Sequence, residues 1–455
     1  MKSKTKRVDM TQGPILGRLI QFCLPIFLGL VFQQFYNMVD SIVVGKYVSA
    51  DALAAVGTCA PLVQFLIGIM AGFNMGASVV ASQLIGAEKR DEIKPTISTT
   101  AIVLIIISLT ITVLAVSFAT PIMHLLSVPD NILPDTVTYF RIFSAGCIFL
   151  ALYNFFASFL RSLGDSTTPL IFLIISSLLN IAGDLFFVLV LKHGVDGVAY
   201  ATVIAQAVSV VLCILYVSKR NEYFSFKKGE FRFDKTLFRS ILRLGIPSSL
   251  QTGLSSIGML AVQRLINSYG SVCIASYTAA NKMEMICNLP VTSVSQGLSL
   301  FVGQNIGAGK TDRAKKGMWL SMSFSAVIGI LLSIAIYTFG PNLMKLFVND
   351  GDIEVINIGA QFMRIWAPLV VTHGISQIVV SFLRGSGDSI WAMICMISDL
   401  IGRTIMAYIF ALAAGMGFLG IAYAIPCGWI ITVIIAFSRF FTGGWQKKAV
   451  VNRKV

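Results

Sequence analysis

The chain has 455 residues, of which 56% are hydrophobic and only 12% are charged, and its formal net charge is +14. A water-soluble domain of this size could not cover its surface with so few charged side chains, so the composition predicts a polytopic membrane protein. The excess of positive charge does not indicate nucleic-acid binding, because the basic residues concentrate in the short segments between apolar stretches.

Twelve apolar segments are long enough to cross a bilayer. In chain order they are 19–45, 53–85, 96–119, 138–160, 168–191, 197–218, 244–268, 274–305, 317–340, 359–383, 390–413 and 418–440. With the N-terminus placed in the cytoplasm, most lysine and arginine residues fall in cytoplasmic segments, whereas Lys46, Lys192 and Lys345 fall outside. This bias predicts a multi-pass plasma-membrane protein with both termini in the cytoplasm. The basic run at residues 2–7 precedes a long first span without a cleavage site, so we expect a retained first helix.

The second half of the chain repeats the first. The run Ser158–Ser166, with the pattern SFLRxxGDS, returns as Ser381–Ser389, and the pattern QxxGA at Gln83 returns at Gln304. The constant register indicates that one six-span unit was duplicated. Because an even number of spans returns the chain to its starting side, we predict an all-α fold of twelve transmembrane helices in two pseudo-symmetric six-helix lobes, related as parallel repeats.

The expected domains are an N-terminal lobe over 1–220, a cytoplasmic linker over 221–243, a C-terminal lobe over 244–442 and a cytoplasmic tail over 443–455. Repeats of this kind place a substrate site near the membrane midplane, with access that alternates between the two sides. Pro25 and Pro247 enter the first helices of the lobes, where each removes one helix hydrogen bond. Each proline can produce a static kink or a moving hinge, and Pro25 is our candidate hinge.

A run of glycine and lysine at Gly307–Thr311 looks like the end of a phosphate-binding loop. The full signature requires glycine where this chain has Gln304, and no strand precedes the run, so we interpret it as a helix stop. We therefore expect an ion gradient to supply the energy, with H⁺ or Na⁺ as the coupling ion and no other cofactor. The eight cysteines lie in apolar segments without CxxC spacing and predict neither disulfides nor a zinc site.

An acidic cluster occurs in the first repeat. Asp40 follows a stretch of the first span that carries no charge, and an acid inside a membrane span is a functional candidate. Asn180 and Asp184 are four residues apart, so both project from one face of the fifth span. Counting about 1.5 Å per residue inward from the outer charges puts Asp40, Asp184 and Thr202 in one layer, roughly 9–12 Å deep. Their oxygens can bind a cation such as Na⁺ or share a proton, and the alternative is a structural polar network.

The second repeat does not keep this cluster. At the repeat positions of Asp40 and Asp184 it has Val262 and Ala407. At the repeat position of Asn180 it has Arg403. Arg403 lies four residues from Asp399 on one helix face, so we expect a structural charge pair. Glu284 in the eighth span is either a second proton carrier or a contact for cationic substrates.

On these residues the chain resembles the multidrug and toxic compound extrusion (MATE) family over nearly its whole length. The resemblance rests on the twelve-span duplicated pattern, the run QQFYNMVD that ends at Asp40, and the QxxGA endings. The pattern is similar to the DinF-type branch, which implies a cation site, a metal site if the ion is Na⁺, in the N-terminal lobe. Its residues would be Asp40, Asn180, Asp184 and Thr202. The NorM-type branch carries an acid on the seventh helix, and this chain has Gln251 and Ser255 in that region.

The resemblance implies a cation-coupled antiporter that exports amphipathic, cationic, drug-like compounds and is not an enzyme. The candidate substrate-cavity residues are Gln33, Tyr36, Asn154, Met259 and Glu284. The alternative is a lipid-linked oligosaccharide or lipid flippase of the same superfamily. The sequence shows neither the aspartate clusters nor the His/Glu metal motifs of intramembrane enzymes. A passive channel remains a further alternative function. We expect small-molecule substrates and the lipid bilayer as partners, no nucleic acid, and a monomer.

The topology can be tested by cysteine labelling. We predict that the linker faces the cytoplasm, because its charges follow the positive-inside rule. In a cysteine-free variant, a single cysteine at position 228 should react with a membrane-impermeant maleimide only after the cells are opened. Labelling in intact cells would overturn this topology.

Overall fold

Long apolar stretches dictate helices here, because a chain in lipid must satisfy its backbone hydrogen bonds within each segment. The computed structural model describes residues 8–126, 128–227 and 229–450. The basic run at 2–7, the labelling position 228 and the end of the predicted tail lie outside the described residues. No strand occurs within the described ranges.

Eight helices form the first half of the chain. They are α1 Ile15–Val43, α2 Ala50–Gly86, α3 Arg90–Ser117, α4 Ala119–Leu125, α5 Leu133–Ala145, α6 Cys147–Ser162, α7 Thr167–Leu185 and α8 Val195–Arg220. Seven more form the second half. They are α9 Lys235–Asn267, α10 Ser271–Gly307, α11 Thr311–Met344, α12 Ile353–Trp366, α13 Val370–Gly385, α14 Ser389–Tyr408 and α15 Phe418–Phe441.

The predicted spans all fall on these helices. Within the described residues, ten helical segments are long and apolar enough to cross a membrane, and the bent pair α5–α6 makes eleven. The remaining predicted span lies in α9, which has 33 residues but carries several serines together with Gln251 and Thr252. With α9 included, each half has six helical segments at the positions of the predicted spans.

Two boundaries differ from the prediction. The fourth span is broken by a 44° bend between α5 and α6, where the absence of a side chain at Gly146 admits Val203 of α8. The seventh predicted span lies in α9, which begins at Lys235 and therefore includes the end of the predicted linker. It begins there because the Asp234 side chain accepts hydrogen bonds from the amides of Thr236 and Leu237, at 2.8 and 2.9 Å.

The repeated sequence motifs adopt the same local structure in both halves. Gly164 and Gly387 have φ angles of +85° and +91°, which a side chain would strain. The amides of Asp165 and Asp388 each donate to the carbonyl five residues earlier, at 2.9 Å in both copies. Each SFLRxxGDS motif is therefore a helix end closed by a glycine.

The glycine–lysine run is also a helix end. Helix α10 ends at Gly307, and α11 begins at Thr311. The amide of Lys310 donates to the carbonyl of Asn305 at 2.8 Å, as in a capped helix terminus. The prediction of a helix stop is confirmed.

The linker is held against the first half of the chain. The Ser98 hydroxyl donates to the Arg232 carbonyl at 2.6 Å, and Lys94 pairs with Glu230 at 2.7 Å. The hydrogen bond from Lys94 is the main cause that holds the pKa of Glu230 below its usual range, and the hydrogen bond from the amide of Lys227 acts in the same direction. The end of the linker is thus a defined part of the structure.

Two compact units divide the chain, and their division does not coincide with the repeat boundary. The first contains Leu24–Ser249, and the second contains Met10–Cys23 together with the described part of Leu250–Lys454. Pro25 and Pro247 each lie within two residues of the point where their helix passes from one unit into the other. Pro25 remains a predicted hinge.

Within the first unit, α2 packs closely on the first half of α9. A Cβ atom at Gly76 would lie 2.6 Å from the Gly245 nitrogen and 2.8 Å from the Ile241 carbonyl oxygen. Gly72, one turn earlier, faces Ser249 in the same way. Small residues four apart on both helices let the backbones approach, which is a common way for helices to associate in membranes.

This packing predicts that Gly76→Leu destabilises the protein. The added side chain would meet backbone atoms that cannot yield, and such overpacking costs about 1–3 kcal/mol. We expect a lower unfolding temperature in detergent, measured by fluorescence-detected size exclusion after heating. Gly57→Leu on the same helix is the control, because nothing lies within 4 Å of its Cβ position. Equal stability of the two variants would contradict the packing argument.

Candidate cation-binding site

The structure brings the four predicted cation ligands together within the first unit. Asn180 and Asp184 project from α7 and are 4% and 0% exposed, and Thr202 on α8 is also buried. The Asn180 amide donates to the Thr202 hydroxyl at 3.2 Å, and this hydroxyl donates to the Val198 carbonyl at 3.0 Å. Asp40 approaches from α1, and its carboxyl group lies beside that of Asp184.

Four oxygen atoms of this cluster receive no hydrogen bond. Asp40 Oδ1, Asn180 Oδ1 and both carboxylate oxygens of Asp184 are buried without a hydrogen bond. No lysine or arginine in the described residues forms an ion pair with either acid. Buried acceptors of this kind are costly unless a proton or a cation satisfies them, and two neighbouring carboxylates cannot both stay charged cheaply.

Local structure positions these side chains. The Asp165 carboxylate accepts from the Thr168 amide at 3.0 Å and from its hydroxyl at 2.7 Å, which caps the start of α7. Helices α1 and α7 both continue as π-helical turns, at Val44–Val48 and Phe186–Val190. Irregular turns of this type often adjoin functional sites.

Valine side chains from both π-helical turns pack in one apolar group. Val44 and Val188 are buried there together with Val43, Val195 and Val198. The group therefore joins the ends of α1 and α7, the helices that carry Asp40 and Asp184, to the start of α8.

Two tyrosines border the acids. Tyr36 on α1 and Tyr139 on α5 both lie within the electrostatic range of Asp40 and Asp184. The sequence pointed to Tyr36, whereas Tyr139 was missed. The only available signal was a hydroxyl inside a predicted span, and spacing alone does not show whether such a group faces lipid or the cluster.

A small cavity adjoins the cluster in the same unit. It has a volume of about 60 Å³ and is lined by Gln33, Tyr36 and Asn154 as well as by Asn180 and Thr202. The lining also includes polar groups that the sequence did not single out, namely Tyr153, Ser176, Ser177 and Gln206. A water molecule occupies about 30 Å³ in the liquid, so this space suits an ion with its water and not a drug-sized molecule.

The other two predicted cavity residues lie elsewhere. Met259 and Glu284 line a separate cavity of about 220 Å³ in the second unit, together with Asp399 and Arg403. Arg403 Nη2 lies 3.0 Å from Asp399 Oδ2, within the same helix. The five predicted cavity residues therefore divide between two cavities, because sequence spacing carries no information on which helices meet.

The second unit does not rebuild the acidic cluster. Val262 and Ala407, at the repeat positions of the two acids, are buried among apolar side chains. In the described residues no group of three or more His, Cys, Asp or Glu side chains is arranged to hold a metal ion. A cation at the first-unit cluster would be held by two carboxylates with amide and hydroxyl oxygens.

A larger groove of about 610 Å³ lies along α2, α3 and α4, but apolar residues such as Leu62, Phe65 and Ile122 line it. It offers no group that could bind a charge. In a membrane, hydrocarbon chains of lipid cover such a surface.

Comparison with known proteins agrees with the duplicated fold. The sequence profile of the MatE family matches residues 25–186 and 247–409. The probable multidrug resistance protein YoeA of Bacillus subtilis (strain 168) is 30% identical over 95% of this chain and 94% of its own length. The probable multidrug resistance protein YpnP of the same strain is 30% identical, covering 99% of this chain and all of its own length.

The fold is also shared with solved structures. The crystal structure of a MATE protein in complex with MaL6 superposes with a TM-score of 0.92 at 23% identity, covering 98% of this chain and 100% of that one. The family profile matches both halves, and the relatives align over nearly the whole length. The chain therefore belongs to the MATE family, whose members are membrane transporters and not enzymes.

Proposed function

We propose that this protein exports amphipathic, drug-like and mainly cationic compounds in exchange for a cation, H⁺ or Na⁺, that binds at Asp40 and Asp184. The observation that carries the proposal is a pair of neighbouring carboxyl groups with buried, unpartnered oxygens. Two relatives that align over nearly the whole chain are named as probable multidrug resistance proteins, which supports drugs as the transported compounds.

The cluster can couple ion and substrate movement through its charge. When it is empty, two adjacent carboxylates in a water-poor setting repel each other, and an opening toward water is favoured. When it is occupied, a proton or Na⁺ lowers the charge of the cluster from two negative units to one, which removes the repulsion and favours the closed packing of α1, α7 and α8. Antiport requires only that ion and substrate bind the two arrangements with different affinity.

Both candidate ions fit this chemistry. The oxygens of Asp40, Asp184, Asn180 and Thr202 form the hard donor set that Na⁺ requires, and the two acids can also share one proton. Proteoliposomes with pH and Na⁺ gradients imposed separately would show which ion drives dye efflux.

The remaining expectations follow from this proposal. We propose that the protein acts as a monomer in the plasma membrane, with both termini in the cytoplasm and with Pro25 as the hinge of α1. A flippase of the same superfamily is less favoured, since acids and neutral groups surround the two polar cavities and Arg403 is their only base in the described residues.

The proposal predicts that Asp40→Asn and Asp184→Asn each abolish ion-driven efflux. Each change removes one negative charge and keeps the side-chain volume, so expression and unfolding temperature should stay near those of the parent. Dye efflux from proteoliposomes should fall by about tenfold or more, as expected when a charge that drives coupling is removed. Asp130→Asn, at an exposed acid outside the cluster, is the control. Full ion-dependent efflux by either cluster variant would place the coupling site elsewhere.

The charge pair of the second unit gives a separate prediction. Arg403→Ala would leave the buried Asp399 without its partner, and breaking such a pair costs about 3–5 kcal/mol. Expression and unfolding temperature should therefore fall. The double change Arg403→Leu with Asp399→Asn removes both charges and should restore much of the stability while ion dependence persists. A stable double variant that no longer responds to either gradient would make the arginine part of the coupling machinery.

A further inference from the structure

The apolar groove of the first unit has an arginine without an acidic partner beside it. The groove has a volume of about 610 Å³ and is formed mainly by α2, α3 and α4, with Phe140 of α5. The residues of its wall are uncharged. The next residue of α5, however, is Arg141, which is exposed and lies inside the fourth span. A charge inside a membrane span is costly unless it has a partner, so its position beside a groove indicates a ligand.

One hydrogen bond places the Arg141 guanidinium next to the groove. Its Nη2 atom donates to the hydroxyl of Thr120, at the start of α4, at a distance of 3.3 Å. Thr120 directly precedes Pro121, and Arg141 directly follows Phe140. Both of these neighbours line the groove. The positive charge therefore lies at the edge of the groove, between α4 and α5.

The guanidinium of Arg141 has donors to spare. The bond to Thr120 is its only hydrogen bond with the described residues, and none of their acids forms an ion pair with it. An arginine carries several N–H donors in a planar fork, and Thr120 takes only one of them. The fork matches two oxygens of a phosphate group, which is a strong pairing where water is scarce.

The second repeat shows how the same arginine can be satisfied within the protein. Arg364 stands at the repeat position of Arg141. Its Nε atom donates to the carbonyl of Tyr337 at 3.1 Å, and its guanidinium carbon lies 5.8 Å from the centre of the Tyr337 ring. A carbonyl oxygen and an aromatic face both attract a positive charge. Arg141 has only a hydroxyl, so the remaining partner must come from outside the described chain.

The groove and the arginine together restrict the ligand. The wall is formed by side chains such as Leu62, Leu114 and Leu125, which accept a hydrocarbon body. The charge beside the wall is positive, so it favours an anion and repels the cationic compounds that we propose as substrates. A hydrocarbon chain joined to a phosphate group is the chemical structure of a phospholipid.

We propose that this groove is a specific phospholipid site, in which Arg141 binds the phosphate and one acyl chain lies in the groove along α3 and α4. The site is separate from the cation cluster and goes beyond the proposed export of drugs. It holds lipid whether or not an ion or a substrate is bound.

Photoactivatable lipids test the site with a local readout. The purified full-length protein in detergent is titrated with phosphatidylglycerol or with diacylglycerol, each carrying the same diazirine in one acyl chain, and labelled peptides are identified by mass spectrometry. Phosphatidylglycerol should label α3 and α4 at the groove. For Arg141→Gln, half-maximal labelling there should need about tenfold more phosphatidylglycerol, as expected when a hydrogen bond between charged groups is lost. Labelling by diacylglycerol should not change.

Arg364→Gln is the matched control for the charge. It removes the repeat counterpart of Arg141 from the second unit and should leave labelling of the groove as in the parent. Glycerol 3-phosphate, which has the phosphate but no acyl chain, should not displace the lipid.

A second variant tests the groove without touching the arginine. Leu114 is 52% exposed and lines the groove, so Leu114→Trp narrows the groove at little cost to the core. It should reduce labelling by both lipids. Leu109→Trp is the control, because Leu109 is 49% exposed on the same helix and does not line the groove.

Several results would overturn the phospholipid site. The arginine is not a phosphate ligand if Arg141→Gln labels like the parent. The groove holds only ordinary solvating lipid if it is labelled no more than the rest of the lipid-facing surface. Displacement by glycerol 3-phosphate would leave a phosphate site without a chain, and displacement by an efflux dye but not by unlabelled phosphatidylglycerol would make the groove a substrate site. If the groove stays unlabelled and Leu114→Trp dissociates a dimer in size exclusion, a second copy of the chain covers it.

Discussion

The cost of placing an unpaired charge in a low-dielectric interior governs the functional architecture of this protein. Asp40 and Asp184 lie beside each other, and no described basic side chain forms an ion pair with either. Such a site is unfavourable while both acids are charged, and this cost is the basis for proposing that a cation binds there. Under the proposed function, ion binding would alter the packing of α1, α7 and α8, because these three helices carry all four proposed ligands.

The same cost is met differently in the second unit. There an arginine occupies the repeat position of Asn180, and Asp399 satisfies it within one helix. The positive charge of this pair belongs to the arginine side chain, so an ion gradient can neither remove it nor supply it. Duplication preserved the fold and the helix ends, whereas the electrostatics diverged. The first unit has two neighbouring acids without an ion-pair partner among the described residues, and the second has a fixed ion pair with Glu284 in the same cavity.

The two first helices of the repeats have a special position in this arrangement. Each passes from one compact unit into the other near a proline, at Pro25 and Pro247. A proline removes one hydrogen bond from the helix and lowers its resistance to bending. Asp40 stands on the same helix as Pro25, so the proposed ion site and the proposed hinge share one helix.

The sequence by itself determined the membrane class, the helical spans, the duplication and the identity of the acidic residues. These features follow from local properties: apolar length, the spacing of residues on one helix face, and the cost of charge in lipid. Spacing also explains why Asn180 and Asp184 share a face and why the SFLRxxGDS motif ends a helix in both repeats. The helix stop at Gly307 belongs to the same group.

Only the tertiary structure decided which helices meet. It brought Tyr139 to the acids, broke the fourth span at Gly146, and placed the first half of α9 in the first unit. It also divided the predicted substrate residues between two cavities, with Tyr36 in one and Glu284 in the other. These outcomes depend on close packing between segments far apart in the chain. In a bundle whose helices are apolar on nearly all sides, periodicity does not distinguish the face that meets lipid from the face that meets another helix.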